Sequence, residues 1–462
     1  MLRQGNGGSS SSQSYHSELR EAMSQFLPHK GLPLLSGDGR VRWTSRLLAM
    51  VAIFMAWGSG RTLIDRLAQA REAVVGIYRT RRRPGGTPEG FSKALARHSA
   101  GILEVLANYW RCCVRRLAAS CWEESGWVLF GADGTCVDCP RTAANEKGFG
   151  VSGRNRSGPQ QRLTCLFHVA SGLLWSWTRG GIRGEGERGH LRRMLHLLPP
   201  GSMVMADAGF HGYDLLQLIL GQGGSFLIRV GSNVTLLRKL GYAVKEHRNT
   251  VYLWPLEKQG RQGHKGKKRK NLMGVAAPMV LRLIRLTDAK GRPMCLLTNV
   301  LEKGRLSDGV AVRMYCLRWG VEVMWRDLKQ TMGHHKMLSG TPERAAAELD
   351  WAMAGLWMME LICVQGMVRS GRLPRSYSPA ASLRVLRQAM SGKRKQRRRL
   401  TLELSDALRD TYHRHRPKRA RNYPRLRPQR PPGEPRARMA TEAEKRLAQR
   451  ILEQPPPNSL AA

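Results

Sequence analysis

The sequence predicts an α/β protein in which an all-helical N-terminal segment precedes a mixed sheet with helices on its faces. Three observations predict it. Apolar residues recur at intervals of three and four from Ser17 to about Ala119. At Trp127 that period gives way to short apolar runs of strand type. These runs then alternate with helical patterns, the arrangement of a sheet covered on its faces.

Taken in order, residues 1–14 are low in complexity and are expected to be disordered. Residues 15–120 form the helical N-terminal domain, broken by Gly, Pro and basic residues at 31–39 and 79–86. The run RTRRR at 79–83 suits this domain to DNA-end binding and equally suits a solvated loop on a scaffold. WVLFGAD from Trp127 is a strand ending in a carboxylate, and RLTCLFHVA and LLWSWTRG are two more strands about a turn at Ser171 and Gly172. A helix is expected near 187–198, then a buried strand in SMVMADAGF ending at Asp207, a helix in GYDLLQLIL and a strand in SFLIRV. Three strands, helix, strand, helix, strand is the order of a ribonuclease H-like fold. Residues 121–230 are therefore expected to be the first part of such a core and 301–370 the second. Between them, 231–300 holds the β-type runs TVYLWPL, VLRLIRL and CLLTNV and a basic loop, KGKKRK, and reads as a β-rich insertion. Helical pattern resumes at Ser307 and runs through two long helices to about Val368. Residues 371–462 read as a basic, Pro-rich tail, since 393–438 carry 17 Lys or Arg against four Asp or Glu and cannot bury a core.

Length allows two or three domains. Lys and Arg number 77 against 34 Asp and Glu, a net charge of +43 that goes far beyond what solubility requires and calls for a polyanionic partner. The basic residues are spread along the chain, which favours nucleic acid over a membrane surface. A structural nucleic-acid binder would carry the same charge but would need no acidic site. Nine scattered cysteines and a start without an apolar signal core point to a reducing cytoplasm. The apolar stretches 47–57 and 351–368 read as buried helices, the first being too short to span a bilayer and the second holding Glu360 and Gln365. Cys136 and Cys139 have the spacing of a zinc half-site, with no second pair to complete it.

Asp133 and Asp207 each close a predicted strand, and each is followed by Gly or Ala-Gly, which lets the backbone turn away and leaves the acid at the sheet edge. Either one alone reads as well as a turn residue. A third acid comes from MYCLRWGVEVMWRDLKQTMG. With Tyr315 at zero and about 100° per residue, Arg318 falls near −60°, Glu322 near −20° and Lys329 near −40°, about one narrow stripe on a helix. Leu317, Val321, Met324 and Leu328 lie at about 180° to 240° and form the core-facing side. An acid, two bases and a phenol opposite a buried face can present a metal ligand and phosphate clamps, Arg as a bidentate partner and Lys as a point charge. The same residues would also serve as paired charges on an ordinary amphipathic helix. Phosphodiester cleavage without a covalent intermediate needs an activated water and a stabilised leaving oxygen, which two divalent ions about 3.5 to 4 Å apart supply. Asp133, Asp207 and Glu322 are the residues expected to hold them.

The spacing Tyr315, two residues, Arg318, three residues, Glu322, six residues, Lys329 resembles the signature of the insertion-sequence family-four transposases of the DDE class. GADGT at Asp133, ADAGF at Asp207 and LLTN at Leu296 to Asn299 are similar to segments in the same order in that family, so the resemblance covers about residues 120 to 340. The surroundings of Asp133 fit more loosely, with Asp138 its nearest competitor. The resemblance implies a ribonuclease H-like catalytic core, a β-rich insertion before the glutamate, dependence on two Mg²⁺ ions with Mn²⁺ as a substitute, and a synaptic homodimer. Its partner would be double-stranded DNA, both the terminal inverted repeats of its own element and the target, in the bacterial cytoplasm at the nucleoid and with no membrane. Hydrolysis at element ends would precede transfer of the freed 3′-hydroxyl into target DNA. Arg318 and Lys329 would hold phosphates, assisted by Arg326, and Tyr315 would bond the DNA backbone. Relatives use an aromatic residue of the insertion to hold an unstacked base; Trp254 is the counterpart here, or else a core tryptophan. The alternatives are a nuclease or resolvase of the same fold without strand transfer, and a non-catalytic DNA-binding relic.

Overall fold

Thr44, Thr62 and Thr87 each stand in extended backbone and accept an N–H from the first turn of the helix that follows, which fixes where three N-terminal helices begin. The computed structural model describes residues 9–28, 30–35, 43–78, 84–151, 158–255, 276–287, 293–392, 399–410 and 433–453. The basic runs at 79–83 and 265–270 and the tail segments 393–398, 411–432 and 454–462 lie outside the described residues, as do residues 1–8.

In chain order the elements are α1 (Ser9–Ser24), α2 (Ser45–Trp57), α3 (Leu63–Ile77), α4 (Pro88–Leu117), β1 (Leu129–Asp138), α5 (Ala143–Phe149), β2 (Gln160–His168), β3 (Leu173–Gly181) and α6 (Glu187–Met194). There follow β4 (Met203–Ala206), α7 (Tyr213–Gly221), β5 (Ser225–Val230), β6 (Thr235–Arg238), β7 (Thr250–Leu253), β8 (Met279–Thr287) and β9 (Pro293–Thr298). The chain continues through α8 (Asp308–Leu317), α9 (Gly320–Arg326), a π-helical turn (Asp327–Thr331), α10 (Pro342–Arg369), α11 (Pro379–Ser391), α12 (Leu400–Asp406), β10 (Arg436–Met439) and α13 (Glu442–Glu453). It divides into two compact units: residues 1–124, 133–194 and 319–417 in one, and residues 125–132, 195–318 and 418–462 in the other.

The first unit is built about α10. This helix is long and apolar enough to cross a membrane by length and composition, yet 83% of its most apolar window is buried. Trp110 and Trp357 meet edge to face at 5.2 Å, and Trp57 donates its indole N–H to the carbonyl of Gly355 at 2.8 Å. A Cβ at Gly355 would lie 2.5 Å from that of Ala56, so the glycine is what lets α2 lie against α10. The hairpin of β2 and β3 is antiparallel, and its turn contains Gly172 at φ +75°, as the sequence led us to expect. Helix α1 begins at Ser9, inside the stretch expected to be disordered; Tyr15, Leu19 and Met23, all buried, anchor it.

In the second unit the sheet order is β10-β6-β7-β8-β9-β5-β4, ending on residues 129–132 of β1. Residues 129–132 run parallel to β4 and β4 runs parallel to β5. Strand β9 then pairs antiparallel with β5, so the described strands of the β-rich segment 231–300 continue this sheet. The tail reading needs correction as well. Helices α11 and α12 belong to the first unit, while β10 pairs in parallel with β6 and α13 lays Ala448, Leu447 and Ile451 on Leu237, Leu240, Tyr252 and Trp254. High charge hid these elements because their apolar residues occupy only one face each.

Candidate active site

Residues 129–132 pair with β4 in a register that ends at Ala132↔Ala206. Asp133 and Asp207 each follow in sequence one of these two registered alanines. Asp207 leaves a strand that stops at Ala206, as expected. Strand β1, by contrast, runs on to Asp138, so Asp133 stands at the end of the parallel ladder but inside the strand. Thr135 and Val137 favour extended backbone. The far end of β1 is held by a bond from Asp138 N to His335 O at 3.3 Å and another from Met337 N to Asp138 O at 2.8 Å. Asp138, the competing acid, is exposed there and accepts the side-chain amide of Gln160 at 2.7 Å.

In the second unit, the Oδ1 of Asp207 accepts the N–H of Gly209 at 2.8 Å, which closes the turn after β4. Tyr315 on α8 is buried, and its hydroxyl donates to the carbonyl of Ala206 at 3.4 Å. Burial pushes its phenol up to about 12; the cations of Arg318 and Arg229 oppose that rise and the carboxylate of Asp207 adds to it. The Arg318 guanidinium lies 5.4 Å from the Tyr315 ring centre. Asp207, Tyr315, Arg318 and Arg229 thus share one neighbourhood at the C-terminal end of β4.

In the first unit, Glu322 is half-buried on α9. Trp325, one turn later and buried, donates its Nε1–H to the Oδ2 of Asp133 at 3.2 Å. The ammonium of Lys329 donates to Thr135 Oγ1 at 2.6 Å and to the carbonyl of Cys136 at 2.8 Å. Burial lowers the Lys329 pKa, opposed by Cys136 and Asp138. Arg326 is exposed, 3.8 Å from Asp327. Val321, Met324 and Leu328 face the interior as the sequence predicted, while Leu317 is only half-buried.

The single helix expected from Tyr315 to Lys329 is in fact three pieces, α8, α9 and the π-helical turn, with the boundary between the units falling after Arg318. A constant 100° step holds over α9 but not through a π turn, which is wider. Tyr315 and Arg318 are buried in the second unit, and in the first unit Lys329 bonds β1. Trp254 is buried in the core of the second unit and donates to Ala276 O at 2.8 Å, the surroundings of a core tryptophan.

Sequence reasoning missed Trp325 and Thr135, although the three-residue spacing from Glu322 and the position two after Asp133 could have pointed to them. It also missed Glu187 on α6, whose carboxyl carbon lies 2.4 Å from where a Cβ on Gly134 would be. Gly134 is what admits that side chain beside Asp133.

Carboxylate oxygens are the donors a hard divalent cation takes, so the chemistry of Asp133, Asp207 and Glu322 fits such an ion. Among the described residues, no three His, Cys, Asp or Glu side chains are already gathered as a ligand set.

Residues 130–358 match the family described as a transposase DDE domain. The transposase InsG for insertion sequence element IS4 of Escherichia coli (strain K12) is 25% identical over 233 residues, which are 48% of this chain and 49% of the relative. The chain thus spans about half the length of the curated relative it matches. Among solved structures, the cryo-EM structure of the piggyBac transposase synaptic complex with hairpin DNA aligns with a TM-score of 0.41 at 10% identity, covering 87% of this chain and 85% of that one. Residues 130–358 thus match the transposase DDE domain family, and about half of the chain is similar to an IS4 transposase.

Proposed function

We propose that the chain cleaves phosphodiester bonds at the ends of its own insertion sequence and joins the freed 3′-hydroxyl to target DNA, with Asp133, Asp207 and Glu322 as the metal ligands. The match to that family implies dependence on a divalent metal; in this proposal the metal is two Mg²⁺ ions, for which Mn²⁺ substitutes. The observation that carries the reading is the register Ala132↔Ala206 on two parallel strands, because it starts Asp133 and Asp207 from paired positions. Glu322 is supported by Trp325, which rises from the same helix to bond Asp133.

When bound, the metal supplies an activated water and a neutralised leaving oxygen. The chain's own residues do the rest. Arg318 offers a guanidinium to a phosphate beside Asp207, and its low exposure strengthens that contact. Tyr315 stays protonated at any working pH, so it supports Arg318 and β4 as a neutral donor. Arg326, exposed one turn beyond Glu322, is placed for the DNA backbone. Lys329 gives two of its three N–H groups to β1 and keeps the third for a phosphate. The partners are the terminal inverted repeats and target DNA, with two copies joined in a synaptic dimer in the bacterial cytoplasm at the nucleoid.

The test is a cleavage and joining assay on DNA carrying the inverted repeats that flank the coding region. The unaltered chain is expected to nick the ends and give joined product, whereas Asp207→Asn should bind the same DNA and lose both reactions by more than about 10³-fold. Nicking without joining would make the chain a nuclease of the same fold. Cleavage by Asp207→Asn at the unaltered rate would overturn the assignment.

A further inference from the structure

The indole of Trp325 has no part in the proposed chemistry, yet it is buried and aimed at the acid on which that chemistry depends. We propose that Trp325 is a positioning residue which fixes the Asp133 carboxylate for metal binding and ties it to the helix that carries Glu322. This rests on the reading of Asp133 as a metal ligand.

Three features of the first unit carry it. Indole Nε1 is a donor only, so its 3.2 Å contact with Oδ2 has one polarity and cannot reverse. It leaves the acid as an acceptor and favours the ionised form that a cation requires. Glu322 and Trp325 are three apart on α9 and so occupy neighbouring places on its surface. Any displacement of the helix that moves Glu322 also moves the bond to Asp133.

The π-helical turn that follows makes the attachment a double one. It directs Lys329 to Thr135 and Cys136, two and three residues after Asp133, at 2.6 and 2.8 Å. Asp133 is therefore bracketed: its side chain is bonded by Trp325, and the backbone just beyond it is bonded by Lys329. Helical turns of this wider kind are rare and frequently lie at functional sites. On the other flank Gly134 leaves room for Glu187 and prevents a Cβ from crowding the strand. Groups bonded to a metal ligand change metal affinity by about 10- to 100-fold when removed, because the ligand must then be oriented at the moment of binding.

Trp325→Phe keeps the ring and removes the N–H. The experiment is a Mn²⁺ titration of the full chain followed by electron paramagnetic resonance, without DNA, beside Asp133→Asn and the unaltered protein. Trp325→Phe is expected to weaken Mn²⁺ binding by about 10-fold, to leave metal-free DNA affinity unchanged, and to recover cleavage when the metal concentration is raised. Asp133→Asn should weaken binding further and not recover. If Asp133→Asn weakens binding and Trp325→Phe does not, the positioning role is wrong; if neither does, the reading of Asp133 as a ligand fails with it. Should Trp325→Phe not fold, fluorine NMR of the chain carrying 5-fluorotryptophan decides. The Trp325 resonance, assigned as the one broadened most when Asp133→Cys carries a spin label in a chain whose exposed Cys112 and Cys316 are changed to serine, is expected to shift on Mg²⁺ addition to the unaltered chain. An unmoved resonance would refute the proposal.

Discussion

Glu360 is the most perturbed carboxyl of the first unit. It lies in α10 away from water, accepts the N–H of Leu174 at 3.0 Å, and is pushed up to about 8 by burial, with Asp327 adding to the rise. In the unfolded chain it ionises near 4.5, so between 4.5 and 8 the folded state keeps a proton that the unfolded state has lost. Its contribution to stability therefore falls as pH rises through that window, by up to about 1.4 kcal/mol per pH unit. His168 and His334 act in the opposite sense. Burial lowers each to about 4 from 6.5, so both contribute stability above 6.5 that is lost as pH falls towards 4. For these three groups together, stability is expected to peak near neutral to slightly acid pH. Glu360→Gln should flatten the alkaline side of a urea-melt pH series, and an unchanged alkaline slope would show that Glu360 is ionised in the fold.

At the scale of elements, close approach and capping decide what packs. Gly355→Ala would set a methyl 2.5 Å from Ala56, so α2 and α10 must separate. A loss of about 1–3 kcal/mol is expected in urea melts, and no loss would mean that the helices slide freely. In the second unit, removal of residues 433–462 takes β10 and α13 away from Leu237, Tyr252 and Trp254. Hydrogen exchange in β6 and β7 is then expected to quicken by more than about tenfold; unchanged exchange would show the sheet edge to be stable alone. These elements also mark how far the sequence could be read. Strands β1 to β5 were legible because their apolar runs are short and bounded by Gly and by charge, as in SMVMADAGF. Helices α11 and α13 were not, because windows rich in arginine conceal an apolar stripe on one face. The division after Leu317 and the π turn at Lys329 leave no mark in a periodicity count, which is why the sequence reads this stretch as one helix. Asp207 and Glu322, proposed as ligands, stand out by motif and spacing, whereas Trp325 offers only its three-residue spacing from Glu322 and has its bonded partner 192 residues away.

For the whole molecule, a net charge of +43 makes DNA affinity largely electrostatic. Contacts to about six phosphates would give a slope near −5 for log affinity against log salt, measurable by anisotropy; a slope near zero would argue against the phosphate backbone as the main partner. Asp133, Asp207 and Glu322, on three separate stretches of chain, are proposed to hold the same metal. The most direct measurement substitutes Fe²⁺ for Mg²⁺ and uses ascorbate and peroxide to cut the polypeptide beside the bound iron. Cuts close to residues 133, 207 and 322 together, all suppressed by excess Mg²⁺ and by Asp207→Asn, are the expected result. Cutting confined to one of the three positions, or indifferent to Mg²⁺, would contradict it.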